Sequence, residues 1–428
     1  MPTTLADWLA WLEQLHPKSI ALGLDRVDEV ARRLKLHPAF PVITVAGTNG
    51  KGSTCAMLEN IYQAAGIHVG CYSSPHLLRY NERVRINGAE AADDALCRAF
   101  AAVEAARGDT PLTYFEFGTL AAMWLFIENK VQVAVLEVGL GGRLDAVNIF
   151  NPACAVLTSV ALDHIDYLGS TRESIGHEKA GIFRAHVPAI CGESQPPASV
   201  IAYAREIAAD YRQINRDFYF EKYVEKHDGG WDFVSGDTRI SDLPLPALSG
   251  EFQLGNASCA LEAIRWLQAD LPVSAQAMRD GLSHAVLPGR FQVFSGSPEI
   301  ILDVAHNPHA ARGLAQNLRA SANGKRTLAV FAMLADKDIP GVLREVAGEV
   351  ALWFVADIRE NRGATAELLA RHLAEVAPAA GIRRFPDVVS AFREACKTAE
   401  ENDRIAAFGS FYTVADVLRA LPVFRPAS

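Results

Sequence analysis

Short apolar runs alternate along this chain with longer stretches in which apolar residues return every three or four positions, the pattern of parallel strands joined by amphipathic helices. From the N-terminus it predicts an amphipathic helix over Met1 to Trp11, then strand 42–46, helix 53–66, strand 67–72, helices 93–107 and 115–129, strands 132–138 and 154–160, helix 171–180, strand 187–191 and helix 198–209. Such an order gives a doubly wound, mostly parallel sheet. Residues 215–247 break the pattern: the brief runs Phe218-Tyr219-Phe220 and Trp231-Asp232-Phe233-Val234 lie beside turns at Asp228-Gly229-Gly230 and Ser235-Gly236-Asp237. They read as a small antiparallel appendage. Helices over 255–269 and 274–283 close this part, and a second alternation follows, with strands 299–304, 327–332, 351–356 and 404–408 and helices 309–320, 339–347, 364–377 and 387–398. The predicted fold class is α/β: a large doubly wound domain over 1–286 carrying a glycine-rich P-loop and the appendage, a linker over 287–292, and a smaller α/β C-terminal domain over 293–428.

Composition narrows the function classes. With 428 residues, half of them hydrophobic, the chain has core enough for two domains. A net charge of −9 without any Lys/Arg block argues against a nucleic-acid partner, so an anionic ligand has to be held by local cations. No apolar run approaches the ~18–20 residues of a membrane span, and the N-terminal helix, with Asp7 in it, lacks a basic leader; a cytoplasmic protein without a membrane partner is expected. The seven cysteines are scattered with no C-x-x-C pair, which favours buried thiols over disulfides or zinc.

The richest chemistry lies at Val45-Ala46-Gly47-Thr48-Asn49-Gly50-Lys51-Gly52-Ser53, where a buried-looking strand runs into a glycine-rich turn ending in Lys and Ser. Glycines let backbone N–H groups converge on a polyphosphate, Lys51 can reach the β- and γ-phosphates, and a helix beginning near Ser53 turns its positive end toward the anion. The pattern departs from G-x-x-x-x-G-K-[ST], because Gly52 separates Lys51 from Ser53. ATP is the expected ligand. Glu137 ends another apolar strand and is costly to bury unless it meets a cation, which suits Mg²⁺ beside a triphosphate; a structural Glu capping a neighbouring helix is the alternative.

Other strand ends are polar too. Ser73-Ser74-Pro75-His76 follows strand 67–72, and Thr158 to Asp166 follows strand 154–160, with Glu178-Lys179 in the next helix. His164 fits a ligand or a hydrogen-bonded structural histidine equally well. Lys179 has no lone pair at neutral pH, so it is a phosphate or substrate clamp unless it is chemically converted to an anion. In the second domain Asp303, His306 and Asn307 cluster after strand 299–304, although an N-cap role before Pro308 accounts for Asn307 equally well. Ser410 stands at the next helix start after strand 404–408, where N–H groups favour a carboxylate.

The runs GTNGKGS (47–53), SSPHL (73–77), NERVRING (81–88), YFEFGTLAA (114–122), LEVGLGGRLDAVN (136–148), LDHIDYLGSTRESIGHEKAGIFR (162–184), LPGRFQ (287–292) and LDVAHNPHA (302–310) together resemble the folylpolyglutamate synthase/dihydrofolate synthase family of murein-ligase-like, ATP-dependent amide ligases. The resemblance covers nearly the whole chain in order, more loosely over 185–250 and the end of the second domain. It implies that Thr48, Asn49, Gly50, Lys51, Gly52 and Ser53 hold the ATP phosphates, and that Asn256, Arg290 and Asp303 contact ATP from beyond the cradle. Two Mg²⁺ ions are implied, the first on Ser74 and Glu137, the second on His164 with a carbamylated Lys179; a monovalent cation is left open. Dihydropteroate or folate would meet Gly23, Leu24, Asp25 and Arg26, then Thr113, Tyr114, Phe115 and Glu116, then Leu144, Asp145 and Ala146. His306 and Ser410 would grip L-glutamate.

Lys51, Lys179 and His306 are thus the candidate catalytic residues. The implied reaction activates a carboxylate as an acyl phosphate, which the amine of L-glutamate attacks, with His306 as general base oriented by Asp303, or as a glutamate-binding group without proton transfer. The implied enzyme is a monomer that adds glutamate to dihydropteroate and to the γ-carboxylate of folates. Alternatives are a ligase of preformed folates only, a murein-precursor ligase, and a nucleotide-driven switch without ligation.

Overall fold

The computed structural model describes residues 2–16, 21–223 and 229–424, which form two compact units, Met1–Ala247 with Gln253–Val286, and Leu248–Phe252 with Leu287–Ser428. Eight strands build the main sheet of the first unit: β1 (Val42–Ala46), β2 (Val69–Tyr72), β3 (Val84–Ile86), β4 (Ala89–Glu90), β5 (Val133–Glu137), β6 (Cys154–Leu157), β7 (Pro188–Cys191) and β8 (Asp210–Gln213). Their order is β4-β3-β2-β5-β1-β6-β7-β8. The six from β2 to β8 run parallel, and β3 and β4 add an antiparallel margin.

β1, β5 and β6 are buried along their whole length because helices cover both faces, which is why they are written as unbroken apolar runs. The chain leaves β1 toward β2 and β5 on one side, then crosses to β6 on the other. A sheet that reverses direction in this way opens a crevice beyond the carboxyl ends of its central strands. Val45 pairs with Glu137 on one side and Val156 on the other, so the polar ends of β5, β1 and β6 come level at that crevice.

The appendage is a three-stranded antiparallel sheet of β9 (Phe218–Lys222), β10 (Trp231–Ser235) and β11 (Thr238–Leu243), around buried Phe218, Trp231 and Phe233. Of its two expected turns, Gly236-Asp237 joins β10 to β11, while Asp228 lies outside the described residues.

The second unit holds β12 (Gln292–Phe294), β13 (Glu299–Asp303), β14 (Thr327–Phe331), β15 (Leu352–Ala356), β16 (Gly381–Phe385) and β17 (Arg404–Phe408), in the order β12-β13-β17-β14-β15-β16. Only β12 is antiparallel. Its core gathers Ile301, Leu314, Phe331, Trp353, Leu369 and Phe408. The segment read as a linker, 287–292, belongs to this unit, and its last residue opens β12; Leu248–Phe252 joins the same unit.

Several boundaries differ from the sequence reading. The first helix runs Leu5–Leu15: Thr4 and Asp7 form a reciprocal cap that sets its start after Thr4, and it ends four residues beyond the expected Trp11. The strand expected over 154–160 stops at Leu157, where Thr158 and Ser159 turn their hydroxyls onto the β1 loop. Strands β3, β4, β8 and β16, absent from the sequence reading, all lie at or near sheet margins.

Candidate active site

The loop after β1 is shaped by two glycines in conformations other residues avoid, Gly47 at φ +153° and Gly50 at φ +87°. A Cβ at Gly47 would collide with Thr158 Oγ1 and one at Gly50 with Asn256 Oδ1, so the backbone must be bare at both positions. Gly50 is itself the N-cap, and the helix starts at Lys51 and runs to Ala64, not from Ser53 as expected. The left-handed Gly50 lets the chain enter the helix at once. Lys51, Gly52 and Ser53 therefore form its first turn, whose N–H groups have no intrahelical acceptor.

The loop is held from the β6 side. Thr48 N–H donates to the Ser159 carbonyl (2.9 Å), Thr48 Oγ1 exchanges hydrogen bonds with Ala161, and Thr158 and Ser159 hydroxyls donate to the Asn49 carbonyl at 2.6 and 3.0 Å. From the Phe252–Leu267 helix, Gln253 donates to Ser53 Oγ (3.3 Å) and accepts from Asn256 (2.9 Å). Thr158, Ser159 and Gln253 were not singled out as site residues. The signal for Gln253 was its place three residues before Asn256, on the same helix face.

Two lysine amines meet at one acceptor: Lys51 Nζ and Lys179 Nζ each donate to the Gly47 carbonyl at 3.0 Å. Lys179 is only 5% exposed. Burial, and then repulsion from Lys51, pull its pKa down to about 7 against the opposing attraction of Asp163 and Asp145. Asp145 is also buried, and burial pushes its carboxyl up to about 7 although Leu140 and Val147 N–H groups donate to it at 2.8 and 3.1 Å.

Glu137 ends β5 inside the protein and accepts from Ser74 N–H at 3.1 Å, which brings the two residues expected at the first Mg²⁺ together. Among the described residues no group of three or more His, Cys, Asp or Glu side chains is gathered to chelate a metal. One buried carboxylate and one hydroxyl beside a phosphate cradle nevertheless fit Mg²⁺, which keeps several waters and is commonly bound through one or two carboxylates and substrate phosphates. His164 caps the short Ile165–Leu168 helix at φ +51°, with its N–H donating to Asp163 (2.8 Å) and its side chain 37% exposed.

The residues expected to meet the pterin form two further groups in the same unit. Thr113 caps the Tyr114–Glu128 helix reciprocally with Glu116, and Glu116 also binds Arg26 at 2.7 Å, next to Gly23, Leu24 and Asp25. Glu116 thus spends its charge inside the protein. Asp145 likewise staples the loop containing Leu144 and caps the turn beginning at Ala146. Tyr114 and Phe115 are half-buried; the Arg83 guanidinium lies 5.4 Å from the Tyr114 ring, and Phe115 packs on Tyr72.

In the second unit Asp303 accepts from Phe291 N–H (2.8 Å) and Ala305 N–H (2.7 Å), and burial raises its carboxyl above the ordinary range against the pull of Arg290. The His306 ring has the Val304 carbonyl 2.8 Å from Nδ1 and interacts electrostatically with Asp303, whose oxygens also serve the backbone on either side. Asn307 is an N-cap, accepting from Ala310 N–H at 2.9 Å. Ser410 is buried after β17 and accepts from Tyr412 N–H, while Arg290 stacks 5.3 Å from Phe411.

Residues 45–264 match the Mur ligase middle domain and residues 289–411 the Mur ligase glutamate ligase domain. The chain is 48% identical over 422 residues to dihydrofolate synthase/folylpolyglutamate synthase of Escherichia coli, covering 98% of this chain and 96% of that one. It belongs to the dihydrofolate synthase/folylpolyglutamate synthase family. Two solved members match nearly end to end. E. coli FolC in complex with DHPP and ADP superimposes with TM-score 0.93 at 47% identity, covering 99% of this chain and 100% of that one. A bifunctional folylpolyglutamate synthase/dihydrofolate synthase with Mn, AMPPNP and L-glutamate bound gives 0.90 at 48%, covering 98% of each. Within this family the chain is an ATP-dependent amide ligase.

Proposed function

We propose that this chain joins L-glutamate to dihydropteroate and to the γ-carboxylate of folates, using ATP, in the cytoplasm, as a monomer. The observation that carries the reading is the bare-backbone loop Gly47–Gly50 at the switch point of the first sheet, with Lys51 and Lys179 converging on it and Glu137 beside it. The relatives support the substrate assignment by what they are named for: both activities in E. coli, and nucleotide, metal and L-glutamate in the solved member.

Amide formation from a carboxylate in water is uphill. In the proposed sequence the substrate carboxylate oxygen attacks the γ-phosphorus of ATP, releasing ADP and leaving an acyl phosphate. The glutamate amine then attacks the acyl carbon, and phosphate leaves as the amide forms and a proton is lost. Lys51 and the N–H groups of the first helical turn hold the phosphates and offset charge on the transferring group. Ser74 and Glu137 would hold one Mg²⁺, and His164 with Lys179 a second; bound there, the ions neutralise phosphate oxygens. In the first unit Asn256, which donates to Gln253 beside Ser53, is a further ATP-contact candidate, and in the second unit Arg290 and Asp303 are candidates of their own. His306, with Nδ1–H directed at the Val304 carbonyl, offers Nε2 as an acceptor toward glutamate, together with Ser410.

Lys179 acts as a carbamate in this reading. A buried lysine whose pKa falls to about 7 is largely an uncharged amine just above neutrality, the form that adds CO₂ and loses a proton. The product is an anion suited to a dication, which an ammonium is not. Intact-protein mass cannot retain so labile a group on its own, so the test is ¹³C NMR in ¹³C-bicarbonate: a carbamate resonance that Lys179→Ala abolishes supports the assignment, and its absence from the parent protein overturns it.

A further inference from the structure

We propose that Arg85 is the positioning residue that holds the Ser73–Ser74 turn in place against the helix of the phosphate cradle, and so sets the geometry of the metal-facing Ser74. This deepens the reading of Ser74 and Glu137 as metal-facing groups and rests on it. Arg85 lies in β3, a marginal strand where an arginine would ordinarily reach into water. Its side chain is instead only 16% exposed and turned inward onto Glu59, itself 3% exposed, on the Lys51–Ala64 helix.

The guanidinium is used on every side. Nε donates to the two Glu59 oxygens at 3.1 and 2.8 Å, and Nη2 lies 2.7 Å from Glu59 Oε2 and 3.2 Å from Cys71 Sγ. Nη1 donates to Ser73 Oγ at 3.1 Å and to the Glu82 carbonyl at 2.9 Å. Glu82 in turn accepts the N–H groups of Leu77, Leu78 and Arg79, each at 2.7 Å, and so organises the rest of the excursion between β2 and β3. Ser74, the next residue after Ser73, donates its N–H to Glu137. One side chain therefore ties together the cradle helix, the end of β2 and the turn that follows Ser74.

A buried ion pair is a poor device for stability alone, since well-packed apolar groups often do as well. What an arginine adds is a planar fork that fixes several acceptors in one geometry, and a lysine cannot reproduce it. The loss expected on replacing it is in metal affinity, where groups that orient the ligands of a metal typically contribute 10–100-fold.

The test uses the whole enzyme with Arg85→Lys, which keeps the charge beside Glu59, and Ser73→Ala, which removes only the hydroxyl Arg85 grips. Mn²⁺ affinity is measured by electron paramagnetic resonance in the presence of AMPPNP, without turnover, alongside the Mg²⁺ dependence of kcat and KM and the melting temperature. Arg85→Lys is expected to weaken Mn²⁺ binding about tenfold and to raise the Mg²⁺ requirement to match, with kcat recovering at saturating metal. Ser73→Ala should shift both in the same direction by a smaller factor, and the double variant should be no worse in metal affinity than Arg85→Lys. If Arg85→Lys lowers the melting temperature while metal affinity stays unchanged, Arg85 only ties the core together and the proposal is wrong. Should Arg85→Lys fail to fold, unchanged Mn²⁺ affinity in Ser73→Ala overturns it equally.

Discussion

Both units end their central strands in polar residues, yet the two carboxyl edges are built for different work. In the first unit the loops after β1 and β6 lace to each other through main-chain acceptors, while two lysine side chains point at one carbonyl and a buried carboxylate stands on β5. That arrangement sets Lys51 and the first helical turn beside a glycine-shaped loop, where a polyphosphate would find its donors. In the second unit the polar side chains serve their own backbone: Asp303 takes two N–H groups, Asn307 caps a helix and Ser410 accepts from Tyr412. The His306 imidazole has the Val304 carbonyl at Nδ1 and Asp303 as an electrostatic neighbour. A shared parallel-sheet plan therefore marks a candidate ligand edge in each unit; the glycine-shaped loop with Lys51 and Lys179 marks the first as the edge proposed to take the phosphates.

The largest way to break this contrast is Lys51→Ala. It removes the Lys51 charge and its bonds to the Gly47 and Thr48 carbonyls, but the loop is still held by Thr48, Thr158 and Ser159, so the fold should persist while kcat falls about a thousandfold. Near-normal activity with unaltered ATP dependence would refute the cradle assignment. Lys179→Ala should cost on the order of a hundredfold. Acetate or formate at high concentration should restore part of that by occupying the vacated anion position, whereas an enzyme that is fully active without them removes Lys179 from the metal site.

On the second edge, His306→Gln should lose a hydrogen bond to a charged ligand, worth about 1.5–3 kcal/mol, and so lower kcat/KM for L-glutamate roughly tenfold or more. The KM for ATP should move by less than about twofold. A larger effect on ATP than on glutamate would erase the division of labour between the edges.

A separate effect is on the pH dependence of stability, read without turnover. In metal-free, CO₂-depleted buffer Lys179 holds its proton less tightly in the folded chain, near pH 7, than at its ordinary value of 10.5. Between those values the unfolded chain binds more protons, so stability rises with pH across that window, while below it both states are protonated and the cost of the buried ammonium stands in full. Urea midpoints of the parent enzyme relative to Lys179→Met should therefore climb between about pH 7 and 10. A flat difference would mean that the amine is not desolvated.

Much of this was legible in the residues. Strands β1 and β17 and the Asp93–Arg107 helix lie where periodicity predicts them, because each is a buried or cleanly amphipathic segment bounded by turn residues. The missed strands carry a different pattern. β8 reads Asp-Tyr-Arg-Gln and β16 Gly-Ile-Arg-Arg-Phe, and a strand at a sheet margin keeps polar side chains in water, so no apolar run marks it. At the site, glycines, Lys51, Glu137 and Lys179 could be read individually. The Thr113-x-x-Glu116 capping box carries its own local signature, but that Lys51 and Lys179 share the Gly47 carbonyl and that Arg26 reaches Glu116 are facts of tertiary contact with none.

The ligase reading itself is tested most directly by following phosphate release from ATP in the presence of L-glutamate and one acceptor at a time: dihydropteroate, tetrahydrofolate or a murein precursor. Phosphate should appear with dihydropteroate and with tetrahydrofolate, in step with amide product and only when glutamate is present. Release with tetrahydrofolate alone would restrict the enzyme to polyglutamylation, and phosphate release indifferent to glutamate and to every acceptor would contradict ligation altogether.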